Sequence, residues 1–424
     1  MTAAVSSDPP TVVPARPAEA AGRWRQLAIV AVTLSLAMGP WFSAGAVGPL
    51  IAAEWHTQGL DLPLLTVAVQ LGFAAGALLL AIAGVPDVVP GPRLLAIGAV
   101  LAAVANLGFA TIATDPVSAI PFRALTGAAL AAVYPVAMRL ASTWFVRERG
   151  LAIGVLIGAL TAGSALPYLF RAVGAYAGVD WRPVVLAASV GALVGAAIAA
   201  LGARTGPLDT RAPRFSPTMA ASAFRQPAVR LANLGYLGHM WELYAMWTWV
   251  PVFLLGALAA AGLHDPAVAS LAAFAVIGSG AVGCVVAGAF ADRVGRTATT
   301  ITAMAVSGTS ALISALLFGA PVPLVIGVAI VWGVTVVADS AQFSTAVSEL
   351  APAGTSGSAL SVQVAAGFTL TGVTILGVGL LDPTDAGSWR IAWGLLALGP
   401  LVGILAMWRL RQRPDAIRMA DGHR

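Results

Sequence analysis

Four ionisable side chains stand inside otherwise apolar stretches of the chain: Arg123, His239, Glu242 and Asp339. A charge in such surroundings costs roughly 2.5–3.5 kcal/mol on insertion scales unless it is paired, so each is a functional candidate by default. Arginine keeps its proton, which makes Arg123 a fixed positive site for an anion. Carboxylic acids and imidazole exchange protons, which makes Glu242, Asp339 and His239 the candidates for coupling proton flow. At helical spacing Arg123, Gly127 and Tyr134 share one face, His239, Glu242, Met246 and Trp249 a second, and Trp332, Thr335, Asp339 and Gln342 a third. Charge mixed with aromatic and amide groups suits a small polar ligand. Tyr134, Trp332 and Gln342 therefore join Arg123 as expected substrate-binding residues, with Trp41, between Gly39-Pro40 and Gly45, closing the cavity where its helix bends. Each candidate also has a bland reading: a snorkelling Arg123, a static brace at Glu242, an Asp339 paired with arginines, a packed His239 and an interfacial belt of tryptophans.

Other chemistry is poorly provided for. Cys284 is the single cysteine, the four histidines are scattered, and neither an HExxH run nor a nucleophile elbow occurs, so the expectation is no metal, no cofactor and no enzyme. Of 424 residues 59% are hydrophobic and 10% charged, with a mean hydropathy of +0.88. Soluble domains carry about 25% charged residues; this chain belongs in a bilayer.

Apolar segments at 27–53, 62–84, 93–113, 116–143, 150–174, 182–203, 230–256, 267–290, 297–318, 321–347, 356–381 and 390–410 predict twelve membrane helices, an all-α polytopic protein. The expected organisation is a disordered cytoplasmic tail over 1–26, a six-helix half over 27–203, a cytoplasmic linker over 204–229, a second half over 230–410 and a tail over 411–424. All the basic charge is arginine. With the N-terminus inside, only Arg171, Arg182 and Arg390 fall outside, and the rest, Arg123 apart, fall on the cytoplasmic side. The formal charge of +5 is thus a topology signal rather than a nucleic-acid footprint. Both termini are expected in the cytoplasm, in a multi-pass monomer of the cell membrane.

The halves repeat each other. Trp181-Arg182 followed by Gly191, Leu193, Val194 and Gly195 recurs as Trp389-Arg390 followed by Gly399, Leu401, Val402 and Gly403, and Gly150, Ala152 and Val155 recur as Gly357, Ala359 and Val362. Parallel duplication of six helices is an architecture of secondary transporters, with the site between the repeats. Between helices eight and nine stands Gly288-Ala-Phe-Ala-Asp292-Arg293-Val-Gly295-Arg296, and between helices two and three the degenerate Gly84-Val-Pro-Asp87-Val-Val-Pro-Gly91-Pro-Arg93. These resemble the two copies of the loop motif of the major facilitator superfamily, and Arg123-Ala-Leu-Thr-Gly127 is similar to its fourth-helix motif. The resemblance covers nearly all of 27–410. It implies a gating or bracing role for Gly288, Asp292, Arg293, Gly295, Arg296, Asp87, Gly91 and Arg93, and a central cavity surrounded by helices one, four, seven and ten.

Within the superfamily, Tyr134-Pro135-Val136-Ala137-Met138 through Trp144-Phe145, with Gly91-Pro92-Arg93, resembles the nitrate/nitrite and cyanate porter-like branch. Those porters carry arginines in helices two and eight, and this chain has none at 62–84 or 267–290, which leaves a small anion of open identity. The expected activity is proton-coupled uptake of a small anionic solute by alternating access; a proton-driven efflux antiporter for amphipathic compounds is the alternative.

Overall fold

A computed structural model of the chain describes residues 20–146, 148–209 and 215–423. Most of the tail expected over 1–26, together with Arg147, Arg211, Arg214 and Arg424, lies outside the described residues. Among the described residues twelve long helices form the bundle: α1 Arg23–Ala46, α2 Asp61–Ile82, α3 Gly91–Thr111, α4 Pro116–Ser142, α5 Arg149–Tyr176, α6 Trp181–Gly202, α7 Pro227–Ala260, α8 Pro266–Val294, α9 Arg296–Ser314, α10 Val322–Leu350, α11 Ser356–Leu380 and α12 Ala386–Arg411. α1 starts four residues ahead of the expected boundary at 27, and the expected linker contains a short helix, Pro217–Phe224, and the first turn of α7.

Eleven of the twelve are long and apolar enough to cross a membrane on their own composition. The other, α9, is rich in Thr and Ser, and it buries Thr297, Thr299, Thr300, Ser307 and Ser310 inside the bundle. Its 19 residues span about 28 Å at the helical rise, and α12 and α10 cover its polar face.

Packing repeats with the sequence. In the first half α1 packs on α5 and α6, α2 on α4, and α3 on α4 and α6; in the second α7 packs on α11 and α12, α8 on α10, and α9 on α10 and α12. Two related seams, α5 against α8 and α2 against α11, join the halves. Lipid is as apolar as a side-chain core, so close association rests on backbone approach and van der Waals contact. Gly150, Gly154 and Gly158 form a stripe on α5, and a Cβ at Gly154 would stand 2.6 Å from the Cys284 carbonyl oxygen of α8.

The sequence pattern predicts α4 and α10 as continuous, yet both are broken. α4 interrupts between Leu130 and Tyr134, where Ala132 and Val133 donate to Ala129 and Leu130 in tight turns. Pro135 explains this break, since it lacks an N–H and disfavours helical geometry at the residue before it. α10 interrupts between Val336 and Ser340, 206 positions later, after the β-branched run Val334-Thr335-Val336-Val337. The two breaks set Tyr134 and Asp339 at related levels of the two halves.

Candidate functional site

A cavity of about 600 Å³ opens between the halves on the face that carries both described chain ends. The second segments of α4 and α10, the N-terminal parts of α5 and α11 and the first residue of α9 line it, including Tyr134, Arg139, Arg149, Ser340, Ser344, Arg296 and Glu349. Arg149 donates to the Phe145 carbonyl and pairs with no carboxylate among the described residues. Arg139 reaches Asp87 at 3.2 Å and Asp209 at 3.6 Å.

The break in α10 carries the chemistry nearest to the cavity. His239 Nδ1 lies 2.8 Å from Asp339 Oδ1, and its Nε2 lies 2.7 Å from the Ser340 hydroxyl, itself in the cavity wall. Both members of the pair are buried, at 2% and 1% exposure. The close approach is out of line for a straight hydrogen bond, and neither Asp339 oxygen accepts one from any described residue. The pair is an ion pair only when the imidazole is protonated. The rings of Phe343 and Tyr236 lie tilted against His239, with centroids 5.4 and 6.4 Å away.

The other expected residues fall in different places. Glu242 is buried within the second half and accepts hydrogen bonds from Ser307 of α9 and the Trp332 indole of α10, each at 2.8 Å. Trp332 is thereby occupied, and its ring packs edge-on against Trp393. Gln342 is buried and accepts from Arg296 Nη1 at 2.9 Å. Neither Trp332, Gln342 nor Glu242 lines the cavity.

Arg123, expected to bind the substrate, does not line this cavity either. Its guanidinium is fully buried inside the first half, where Nη2 donates to the Trp41 carbonyl at 2.6 Å and Nη1 to the Pro40 carbonyl at 2.8 Å. Asn106 Oδ1 and Ser43 Oγ lie 3.2 and 3.3 Å from Nη1, and the Leu65 carbonyl lies 3.5 Å from Nε. Carbonyl and amide oxygens of α1, α2 and α3 take the donors that an anion would need, and the Phe109 ring lies 5.3 Å from the charge. Helical periodicity shows which residues share a face with Arg123, not that a long side chain spends its hydrogen bonds on neighbouring helices.

Aromatic side chains from both halves meet where the halves pack together. Trp41 of α1 lies 4.9 Å from Phe73 of α2, 5.5 Å from Phe368 of α11 and 5.8 Å from Tyr244 of α7, and Phe73 meets Phe368 at 4.4 Å. Trp41, expected to close the cavity, packs within this aromatic cluster and is not among the residues that line the cavity of about 600 Å³. Phe73, Tyr244 and Phe368 were missed, because nothing in the sequence separates an aromatic at the seam from one facing lipid.

The loop residues sit at the face of the chain ends. Gly295 takes φ +94°, open to glycine at little cost, and this turn brings Arg296 onto Glu349 and Asp292. The Asp292 carboxylate lies against Gly150 at the start of α5, where the amides of a helix N-terminus favour negative charge. Gly288 approaches the Gly150 carbonyl of α5; Arg293 is exposed. In the degenerate first copy Asp87 holds Arg139, Gly91 packs on Leu140 and Arg93 is exposed.

A helical bundle of two repeated halves, broken helices and a cavity between them define a membrane transporter fold. Residues 29–374 match the Major Facilitator Superfamily, and the chain belongs to that family. Over 212 residues it is 28% identical to the MFS transporter asaE of Aspergillus flavus, across 49% of this chain and 46% of that protein, so the match spans about half the length of that relative. A bacterial homologue of the human lysosomal transporter Spinster, solved in an inward-facing and unoccupied conformation, superposes with a TM-score of 0.67 at 12% identity, over 93% of this chain and 97% of that one. The chain is a multi-pass membrane protein of this family. The nitrate/nitrite and cyanate porter branch gains no support from these matches.

Proposed function

We propose that the chain is a proton-coupled uptake porter for a small anionic solute, with His239 and Asp339 as the proton-carrying pair. The observation that carries this reading is a buried imidazole and carboxyl 2.8 Å apart at the break of α10, joined by Ser340 to the cavity between the halves. Loading a proton there closes an ion pair across α7 and α10; releasing it opens the pair, and a buried charge change of this kind biases one packing of the seam over another. Arg149 supports an anion, because its charge lines the cavity without a carboxylate partner. In this reading Arg123 and Glu242 are braces that keep each half rigid while it rocks, the chain ends and the cavity face the cytoplasm, and the described conformation is inward-facing, as in the Spinster homologue.

The aromatic cluster favours the second reading, proton-driven efflux of amphipathic compounds, since rings at the seam also suit apolar cargo. Proteoliposomes separate the two. Nitrate, formate, acetate and lactate are offered with and without an inward pH gradient, beside a hydrophobic cation. Gradient-driven accumulation of one of the anions is expected; gradient-driven movement of the cation alone favours efflux.

A further inference from the structure

On the face opposite the chain ends a second, smaller cavity of about 90 Å³ lies between the halves, walled by Gly45, Pro251, Leu255 and Ser270 and by Tyr168 and Arg171 of α5. Two of its polar groups have nothing to bind. Arg171 is half-buried and has no hydrogen-bond or ion-pair partner among the described residues. Tyr168 is 1% exposed, and its hydroxyl is buried with no hydrogen-bond partner among the described residues. A buried hydroxyl left unpaired costs about 1–3 kcal/mol, and the two residues stand three apart on one face of α5. Gly45 makes the room: a Cβ there would stand 3.3 Å from the Tyr168 oxygen.

The remaining lining does not supply the missing partner. Ser270 spends its hydroxyl on the Pro266 carbonyl of its own helix, and Asp265, the nearest acid in the sequence, is occupied capping α8 through the amides of Ala267 and Val268. Pro251 and Leu255 make one wall of the pocket apolar. A space this size holds a few non-hydrogen atoms, where a water takes about 30 Å³.

We propose that Arg171 and Tyr168 form a subsite for a small planar oxyanion, a carboxylate or nitrate-like ion, at the closed outer end of the seam. The planar fork of Arg171 takes two oxygens and the Tyr168 hydroxyl donates to one of them. The subsite holds solute on the side of the bundle away from the larger cavity. It rests on the anion reading above and adds where the anion is first held.

The test is equilibrium binding of radiolabelled formate and nitrate to the purified full-length protein in neutral detergent. The variants are Arg171→Gln, Arg171→Lys and Tyr168→Phe, with Arg149→Gln as the comparison in the larger cavity. Saturable binding to the parent is expected, weakened about tenfold or more by Arg171→Gln, which is roughly one charge-assisted contact, and by a smaller factor in the other two Arg171 and Tyr168 variants. Gel filtration identifies any variant that has misfolded, and Arg171→Lys keeps the charge in case Arg171→Gln fails that check. Parent-like affinity in the Arg171 variants, with loss only in Arg149→Gln, overturns the subsite and leaves the anion reading standing. Competition by added phosphatidylglycerol at Arg171 overturns it in favour of a lipid headgroup. Failure of the parent to bind either anion overturns the subsite and the anion reading together.

Discussion

Arg123→Lys separates a brace from a ligand. The guanidinium has five acceptors around it, from Pro40, Trp41, Ser43, Asn106 and Leu65. An ammonium has three donors, so at least two of these contacts lose theirs. At about 1.5–3 kcal/mol per hydrogen bond to a charged group this is roughly 3–6 kcal/mol, and the 3.5 Å contact to Leu65 is at the limit of hydrogen bonding. The lower end, about 3 kcal/mol, is therefore the expected loss. In purified protein it appears as a melting temperature several degrees below the parent, while solute affinity in whatever molecules remain folded is unchanged. A Lys variant that melts with the parent and binds solute more weakly would refute the brace and return Arg123 to the binding site.

Gly154→Val is expected to express but to lose transport, because its side chain must displace the Cys284 carbonyl of α8 at the seam; solute counterflow equal to the parent would show that this seam need not close so tightly. On the face opposite the described chain ends Arg182 holds Glu54 at 2.7 Å, and its hydrogen bond, joined by that of the Trp181 indole, keeps the Glu54 carboxyl below the usual carboxylate range. A depressed acid contributes stability above its unfolded pKa and loses it as pH falls through the folded one. Melting curves from neutral to acid pH should accordingly be flatter for Glu54→Gln than for the parent, and identical slopes would show that the latch contributes nothing.

Much of this architecture is legible in the sequence because the bilayer dictates it. The twelve apolar segments, the repeat linking Trp181-Arg182 to Trp389-Arg390, and the Asp292-to-Arg296 turn all follow from local composition and spacing. Even the polar α9 is recognisable by its place in the repeat. What stays hidden depends on which face meets which neighbour. Phe73, Tyr244 and Phe368 gather at the seam, yet an aromatic is equally at home against lipid. His239 and Asp339 are far apart in sequence, and only the break in α10 and its packing on α7 bring them together. Arg123 reads as a ligand by type and as a brace by geometry, because its partners are mostly backbone carbonyls, which sequence does not mark.

The most direct test of proton coupling at the break of α10 is accumulation in proteoliposomes carrying parent or Asp339→Asn, with a transported anion from the panel and an imposed pH gradient. Asparagine keeps the shape of the side chain and removes its exchangeable charge. The account predicts that the variant still exchanges labelled for unlabelled solute but no longer concentrates it when the gradient is applied, whereas Glu242→Gln does both. Gradient-driven accumulation by Asp339→Asn equal to that of the parent would contradict it.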